Sequence, residues 1–393
     1  MTVLRVHENP AIKGGSEVYI RDVSLELEVR GIKNILLFIE AKKSTVSIYL
    51  NREHKTTVTQ ANLVHSLDKI IRNYSIDIVH IHGLSNPQAI DYFLSNFTVV
   101  RTMHEPRMVC PGYGKFLVAS GKPCTVKFGL HCFYHAYTQK CFRSRNPLNV
   151  INAYRNTMFE VNDASKRYAA ILTMSEFIRK EAIKGGINPD KVICNPHFTK
   201  FKLPYLPFEG TQKRFLFVGR LIEHKGIYQL LDAMLPVLQG SITNFLQIVG
   251  DGPLYKYVTN FINVHHLQNQ IIVEKWKSSE DISALMKASY CVLFPSIYPE
   301  AFGLVGIEAG MHSKPVIAFN NGGVSTWLKD NFNGFLLDDV TADALRESIQ
   351  RMINNPELYK QMSKNAWELA SSFFSPKRHV EMLIEIYKKC TAT

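Results

Sequence analysis

The chain has 393 residues, 46% of them hydrophobic, and a formal net charge of +12. That length suggests two domains rather than one, no apolar run approaches the roughly 18 residues of a spanning helix, and "MTVLRVHENPAIKGGSE" lacks a signal peptide's apolar segment. A cytoplasmic protein is the expectation, with anionic substrates, an anionic membrane surface or nucleic acid as partner classes for the basic excess.

The first half alternates apolar runs with amphipathic stretches. "TVLRVHE" reads as a strand, and "EVYIRDVSLELEVRG" as a helix with Val18, Val23, Leu25, Leu27 and Val29 on one side and Gly31 as its stop. "NILLFIE" is a strand, "ANLVHSLDKIIRNY" a helix, "IDIVHIHG" a strand, "NPQAIDYFLSN" a helix and "FTVVRTMHE" a strand. Between Arg101 and Phe159 nine Lys/Arg face a single acid, Glu105, and aromatics are interleaved (Phe116, Phe128, Phe133, Tyr134, Tyr137, Phe142). Such a stretch suits an interfacial surface or a lipid-linked phosphate; a solvated loop face explains it equally. It also holds Cys110, Cys124, Cys132 and Cys141, at spacings unlike common structural zinc pairs. Buried thiols or a labile disulfide are favoured there over a metal. "AAILTMS", a helix from Glu176 with Ser175 as its cap, and the strand "KVICNPH" follow.

At "TKFKLPYLPFEGTQK", 199–213, the rhythm stops, and an extended linker is expected. It restarts with the strands "RFLFVG", "NFLQIVG", "QIIVEKW", "YCVLFPS", "PVIAF" and "NGFLL", separated by helical stretches. Strand–helix alternation implies parallel sheets in both halves. Two doubly wound domains leave a cleft at their strand C-terminal ends, where ligands bind in such folds. "SPKRHVEMLIEIYKKC" reads as a last helix with Pro376 in its first turn and Val380, Leu383, Ile384 and Tyr387 on one face. The expected layout is 1–200, 206–374 and a helix over 375–393 packing back on the first domain.

Chemistry concentrates after the strands of the second half. In "FVGRLIEHKGI", Arg220 and Lys225 follow a strand, as a fork and a point charge suited to a diphosphate. "IVGDGPL" places a tight glycine turn where backbone can approach a ligand. In "YPEAFGLVGIEAG", Glu300 and Glu308 stand eight residues apart in an apolar stretch. Eight residues of continuous helix leave two side chains about 80° out of register, whereas a loop followed by a helix near Gly303 lets both carboxylates reach one ligand. The first free amides, Leu304 and Val305, favour an anion, and carboxylates accept from vicinal hydroxyls. Ribose on one side of a diphosphate and hexose on the other describe a nucleotide-sugar. The competing assignment has Glu300 capping the helix and Glu308 pairing with a cation.

Residues 214–337 resemble the donor domain of retaining GT-B glycosyltransferases of family 4. "VGRLIEHKG", "IVGDGP", "PSIYPEAFGLVGIEAGMHSKPVIAFNNGG" and "NGFLL" fall in that family's order. The resemblance implies a GT-B fold, an α/β architecture of two Rossmann-like domains. It makes Glu300 a donor-hexose contact, Glu308 a ribose contact, and Arg220 and Lys225 diphosphate ligands. "GGVSTWL" departs from it, with Ser325 and Thr326 where many relatives carry a glutamate. In the first half, "KGGSEVYIRDV" resembles the family's Gly-Gly loop, implying donor-phosphate contacts at Gly14, Gly15 and Ser16, with Ser16 as cap. "VVRTMHEPR" aligns His104 with the family's catalytic histidine, Glu105 replacing an aspartate. His80 and His82 are read chiefly as structural, with His82 also a candidate for the acceptor side, as are Asn195 and His197.

No Asp-x-Asp occurs, so no metal and no cofactor is expected. Arg220, Lys225 and the helix amides take the metal's place. The implied reaction transfers a hexose with retention, the leaving diphosphate accepting the acceptor's proton; double displacement through Glu300 is the alternative mechanism. Expected partners are UDP-glucose or a related UDP-hexose, a saccharide or lipid-linked acceptor, and a peripheral contact with the inner face of the plasma membrane, but no nucleic acid. A non-catalytic nucleotide-sugar-binding homologue is the rival reading.

Overall fold

Two runs of parallel strands, each strand followed by a helix, build two separate sheets in the computed structural model, which describes residues 1–393 apart from Lys13, Lys43, Tyr113, Arg143 and Thr393. Arg143, counted above in the basic stretch, therefore lies outside the described residues. Unit 1 comprises Met1–His197 and Pro376–Thr393, and unit 2 comprises Phe198–Ser375.

Unit 1 opens with β1 (Thr2–His7), α1 (Gly15–Glu28), β2 (Lys33–Ala41), β3 (Thr45–Leu50) and β4 (Glu53–Thr59). It continues with α2 (Leu63–Ile71), β5 (Ile78–Gly83), α3 (Pro87–Asn96) and β6 (Val99–Met103). The basic stretch folds into a two-stranded hairpin, β7 (Phe116–Leu117) and β8 (Lys122–Pro123), then α4 (His131–Thr138) and α5 (Pro147–Phe159). A π-helical turn, Glu160–Ala164, leads into α6 (Ser165–Arg167). Then come β9 (Ala170–Thr173), α7 (Glu176–Lys184) and β10 (Val192–Cys194). The sheet order is β10-β9-β6-β5-β1-β2-β3-β4, parallel except for the antiparallel β3 and β4 at one edge.

The face of α1 differs from its expected one. Tyr19, Ile20, Val23 and Leu27 are buried, whereas Leu25 and Val29 stand in solvent at 56% and 85% exposure. Residues 20, 23 and 27 follow the i, i+3, i+7 spacing of one helical face, and 25 and 29 fall opposite.

Unit 2 holds β11 (Lys213–Val218), α8 (Ile227–Gln239), β12 (Asn244–Val249), α9 (Tyr255–Val264), β13 (Ile271–Glu274) and α10 (Ser279–Ala288). These are followed by β14 (Cys291–Phe294), α11 (Leu304–Met311), β15 (Val316–Phe319), β16 (Gly334–Leu337), α12 (Ala342–Asn354) and α13 (Pro356–Ser372). All six strands are parallel, in the order β13-β12-β11-β14-β15-β16. The order reverses between β11 and β14. Loops leaving those neighbours diverge to opposite faces, and the crevice at their carboxyl ends is where open α/β sheets bind ligands. The extended segment before β11 packs on unit 2: the Trp367 indole donates to the Leu203 carbonyl at 2.8 Å and the Leu206 amide to Ser313 Oγ at 3.0 Å.

The last helix, α14 (Pro376–Thr391), returns to unit 1 and buries Val380, Leu383 and Tyr387 there. It also buries His379, whose Nδ1 donates to the Pro196 carbonyl at 2.7 Å.

Candidate functional site

At the switch point of unit 2, the loops after β11 and β14 are bonded together. The His224 carbonyl accepts from the amides of Ile297 (3.0 Å) and Tyr298 (3.2 Å). Lys225 ends a short 3-10 turn and Glu300 lies on the loop leading to α11. The two meet: Lys225 Nζ donates to Glu300 Oε1 at 2.5 Å, and Ser296 Oγ donates to the same oxygen at 2.5 Å. Glu300's main chain is anchored as well. Its carbonyl accepts from the Gly323 amide at 2.6 Å, and it bridges to Gly322. Gly322 has φ +69°, and a Cβ there would fall 2.4 Å from the Glu300 carbonyl oxygen, so only glycine permits that bridge. Arg220 is exposed at the start of the β11 loop.

The N-terminus of α11 follows Glu300 directly. Gly303 is its N-cap, in the left-handed region at φ +91°, with no side-chain cap. Glu300 therefore does not cap the helix. The first amides, Leu304 and Val305, are left for an anion, helped by the helix dipole. Trp327 supports this turn from below. It is 2% exposed, its indole donates to the Phe302 carbonyl at 2.6 Å, and a Cβ on Gly306 would strike its ring at 2.3 Å. Glu308 lies partly buried one turn into α11, and its carbonyl accepts from His312 Nδ1 at 2.7 Å. Glu300 and Glu308 thus stand on a loop and on the helix that follows it.

The glycine turn after β12 packs closely on the neighbouring loop. A Cβ on Gly250, whose φ is +157°, would lie 1.8 Å from the Gly219 carbonyl oxygen. The close approach is between the β11 and β12 loops themselves, and it positions the loop that carries Arg220.

In unit 1 the corresponding strand ends carry histidines. Arg5 and His7 on β1, His80 and His82 on β5, and Thr102 and His104 on and just after β6 alternate along three adjacent parallel strands. Alternate residues share a face. Arg5, only 1% exposed, directs Nη1 at His82 Nε2 (2.9 Å), Nη2 at the Tyr387 hydroxyl (3.2 Å) and Nε at Asn34 Oδ1 (2.9 Å). His82 Nδ1 lies 3.1 Å from His104 Nε2. Tyr19 packs edge-on to the His104 ring at 5.3 Å, and His197 stacks on it at 5.5 Å. Burial, then the neighbouring His197, holds His104 well below the usual imidazole range. His82 is lowered by burial and by His80 and Arg5, and burial takes His197 down to about 3. These rings are neutral at physiological pH.

The α1 loop differs from its expected form. Helix α1 starts at Gly15 with Gly14 as N-cap and no side-chain cap; Ser16 Oγ donates instead to Glu17 Oε2 at 3.1 Å. Glu17 is buried in that first turn, where its carboxylate already meets the helix dipole. Gly15 is exposed.

The acid-poor stretch has two outward apolar stripes. Leu130, Tyr134 and Tyr137 on and before α4 are 77%, 68% and 46% exposed, at i, i+4, i+7 spacing. Leu148, Ile151 and Met158 on α5 are also exposed, with Arg155 among them. The inner faces pack as Ala136, Phe142 and Val150, with Cys132 and Cys141 against them. Cys110, Cys124, Cys132 and Cys141 are free thiols; burial pushes Cys141 up to about 12. Among the described residues no group of three or more His, Cys, Asp or Glu comes together to hold a metal.

Sequence reasoning placed Arg220, Lys225 and Glu300 on loops and Leu304 and Val305 at the start of a helix, all of which the structure brings to one edge of one sheet. It missed Arg5, Tyr19, His379 and Tyr387. The alternation of Arg5, His80 and His82 along neighbouring strands was the available signal, since a buried arginine in period-2 register with histidines needs acceptors.

Residues 200–368 match the family model for glycosyl transferases group 1. An uncharacterized glycosyltransferase of Methanocaldococcus jannaschii is 31% identical over 220 residues, 50% of this chain and 61% of the relative. The chain spans 45% to 61% of the length of this and two further curated relatives. The capsular polysaccharide biosynthesis glycosyltransferase CapM of Staphylococcus aureus is 21% identical over 349 residues, 83% of this chain and 89% of CapM. Among solved structures, HepE of Anabaena in complex with UDP superposes with a TM-score of 0.71 at 18% identity, covering 99% of this chain and 100% of HepE. Its complex with UDP-glucose gives 0.69 at 17% identity, with the same coverage. At that identity the likeness shows the fold, which is GT-B.

Proposed function

We propose that this chain is a retaining glycosyltransferase of family 4, moving a hexose from a UDP-sugar to a saccharide or lipid-linked acceptor in polysaccharide or glycolipid synthesis. The observation that carries the proposal is the meeting of Lys225 and Glu300 at the switch point of unit 2, beside exposed Arg220 and the open N-terminus of α11. The group 1 match over 200–368 covers these residues. HepE, solved with UDP-glucose, supports a UDP-hexose donor, and CapM supports a role in polysaccharide synthesis.

In this reading the arriving diphosphate takes Lys225 from Glu300. Lys225, Arg220 and the amides of Leu304 and Val305 then spread over its oxygens, strengthening as charge develops on the leaving group. Glu300, freed from Lys225 but still bonded to Ser296, accepts from the hexose hydroxyls, and Glu308 from the ribose. This set supplies the charge compensation a divalent ion would otherwise give, so the reaction proceeds without a metal or cofactor. A diphosphate oxygen takes the acceptor's proton on the face from which the leaving group departs, giving retention. His104 serves the transferred sugar. Gly15 and Ser16 are the weaker donor contacts, because Glu17 already occupies the dipole of α1.

The acceptor side involves an anionic membrane surface, touched by the Leu130–Tyr137 and Leu148–Met158 stripes with Arg155 among them. The protein then acts at the cytoplasmic face of the membrane. A panel of nucleotide-sugars in thermal-shift assays, followed by transfer to lipid-linked saccharides and anomeric analysis of the product, tests the whole. A UDP-hexose should raise the melting temperature, and the product should keep the donor's anomeric configuration. An inverted product or no stabilising nucleotide-sugar contradicts it.

A further inference from the structure

Hydrogen-bond polarity around His104 is decided by Arg5. A guanidinium has donors and no acceptor, so in the Arg5 Nη1–His82 Nε2 contact at 2.9 Å the imidazole nitrogen must accept. A neutral imidazole with an accepting Nε2 carries its proton on Nδ1. His82 Nδ1 therefore donates across 3.1 Å to His104 Nε2. His104 Nε2 is then an acceptor, and its own proton resides on Nδ1. His104 Nδ1 has no hydrogen-bond partner among the described residues, and the ring is only partly buried.

A second branch has the same polarity. Arg5 Nη2 donates to the Tyr387 hydroxyl at 3.2 Å, whose own proton goes to His80 Nδ1 at 2.5 Å. His80 Nε2 then donates to Thr102 Oγ1 at 2.7 Å. His80, His82 and His104 thus have their tautomers set from one buried cation. No carboxylate among the described residues pairs with Arg5; the acceptors around it are neutral rings, a hydroxyl and the Asn34 amide oxygen. Burial first, and then repulsion from neighbouring groups that include this cation, lower His80 and His82.

We infer that Arg5 and His82 are positioning residues that lock His104 as the Nδ1–H tautomer, so that His104 acts on its ligand as a hydrogen-bond donor and not as a base. This rests on the glycosyltransferase reading only for the identity of the ligand, a sugar hydroxyl or a diphosphate oxygen. A base at His104 would need an unprotonated nitrogen facing the substrate, and its only such nitrogen is taken by His82. The proton that leaves the acceptor must go elsewhere, which agrees with its transfer to the departing diphosphate.

Two substitutions at one position separate polarity from packing. In His82→Gln, the amide oxygen accepts from Arg5 and the amide nitrogen donates to His104, preserving the direction. In His82→Glu, both oxygens only accept, so His104 must turn its proton to Nε2. Two-bond proton–nitrogen spectra of protein labelled with 15N-histidine identify the tautomer in the ligand-free chain, with no assay of transfer. The expected result is Nδ1–H at His104 in the native chain and in His82→Gln, and Nε2–H in His82→Glu. The His82→Glu variant should lose roughly a hundredfold in kcat with donor KM within about threefold, and His82→Gln should retain most of the rate; wrong-tautomer variants of a catalytic triad lose more still. Thermal melts of both variants confirm that they fold. Nε2–H at His104 in the native chain, or equal rates for folded His82→Gln and His82→Glu, overturns the inference. A native chain with Nδ1–H and no transfer from any nucleotide-sugar overturns the proposed function and leaves the tautomer assignment standing.

Discussion

The two units present opposite chemistry at equivalent places. At the strand ends of unit 2, Arg220, Lys225 and Glu300 are charged, reach solvent in part and lie on loops. At the strand ends of unit 1, His80, His82 and His197 are buried and held neutral; His82 is hydrogen-bonded to Arg5 of β1, His80 to Tyr387 of α14, and His197 stacks on His104. Mobile charge suits a group whose own charge grows during a reaction. A neutral, direction-fixed network suits a group that must keep one orientation. The difference teaches how each site tolerates change: losing a charge in unit 2 should remove function and spare the fold, whereas disturbing a histidine partner in unit 1 should affect both.

The largest expected effect is on transfer. Arg220→Ala or Lys225→Ala should lower kcat about a thousandfold, the scale of removing a preorganised charge partner from a developing anion, with the melting temperature within a few degrees. Comparable loss of fold in either variant would erase the contrast between the units. Glu300→Gln should lower kcat/KM about a hundredfold, since an amide oxygen replaces one carboxylate acceptor; steady-state kinetics with the identified donor measures it. Trp327→Ala should destabilise unit 2 by about 3–5 kcal/mol through the cavity left under α11. Tryptophan fluorescence reports unit 2 alone, because Trp276, Trp327 and Trp367 all lie there.

Acid should act the other way round. His197 and His379 have folded values of about 3 and about 4, below the unfolded 6.5, and His80, His82 and His104 are also lowered. For a lowered imidazole the unfolded state binds the proton first. The stability contribution is therefore complete above pH 6.5 and is lost as pH falls toward the folded value, by up to about 1.4 kcal/mol per pH unit for each ring. Between pH 6.5 and 5, far-UV circular dichroism should show loss of unit 1 before tryptophan fluorescence shows loss of unit 2. Coincident transitions would contradict that order. The smallest effect is Ser175→Ala, which removes the cap bond to the Ile178 amide and should cost about 1 kcal/mol in unit 1 by denaturant melts.

How much was legible follows the same division. In unit 2 the chemistry lies within short contiguous stretches, each a strand, a loop and a helix start, so Arg220, Lys225, Glu300 and Leu304 could be placed from local pattern alone. Gly303 as the turn into α11 was readable for the same reason. In unit 1 the network around His104 draws on β1, β5, α1 and α14, with Arg5 and Tyr387 382 residues apart. No local periodicity records such a pairing. Ser16 was misread because a serine near a helix start is a common cap, but here the N-cap is Gly14, the helix begins at Gly15, and Ser16 turns to Glu17. The β3–β4 edge went unseen because "TVSIYLNREHKTTVT" has a polar second strand, exposed along most of its length.

The central claim is that unit 2 grips a nucleotide diphosphate with protein cations. Calorimetric titration of UDP and UDP-hexoses into the full chain in a chelating buffer, repeated with Arg220→Ala, tests it most directly. The account predicts binding without any divalent ion and a loss of roughly tenfold or more in the variant, the cost of one charge-assisted partner. Binding that requires a divalent ion, or that is indifferent to Arg220, would contradict it.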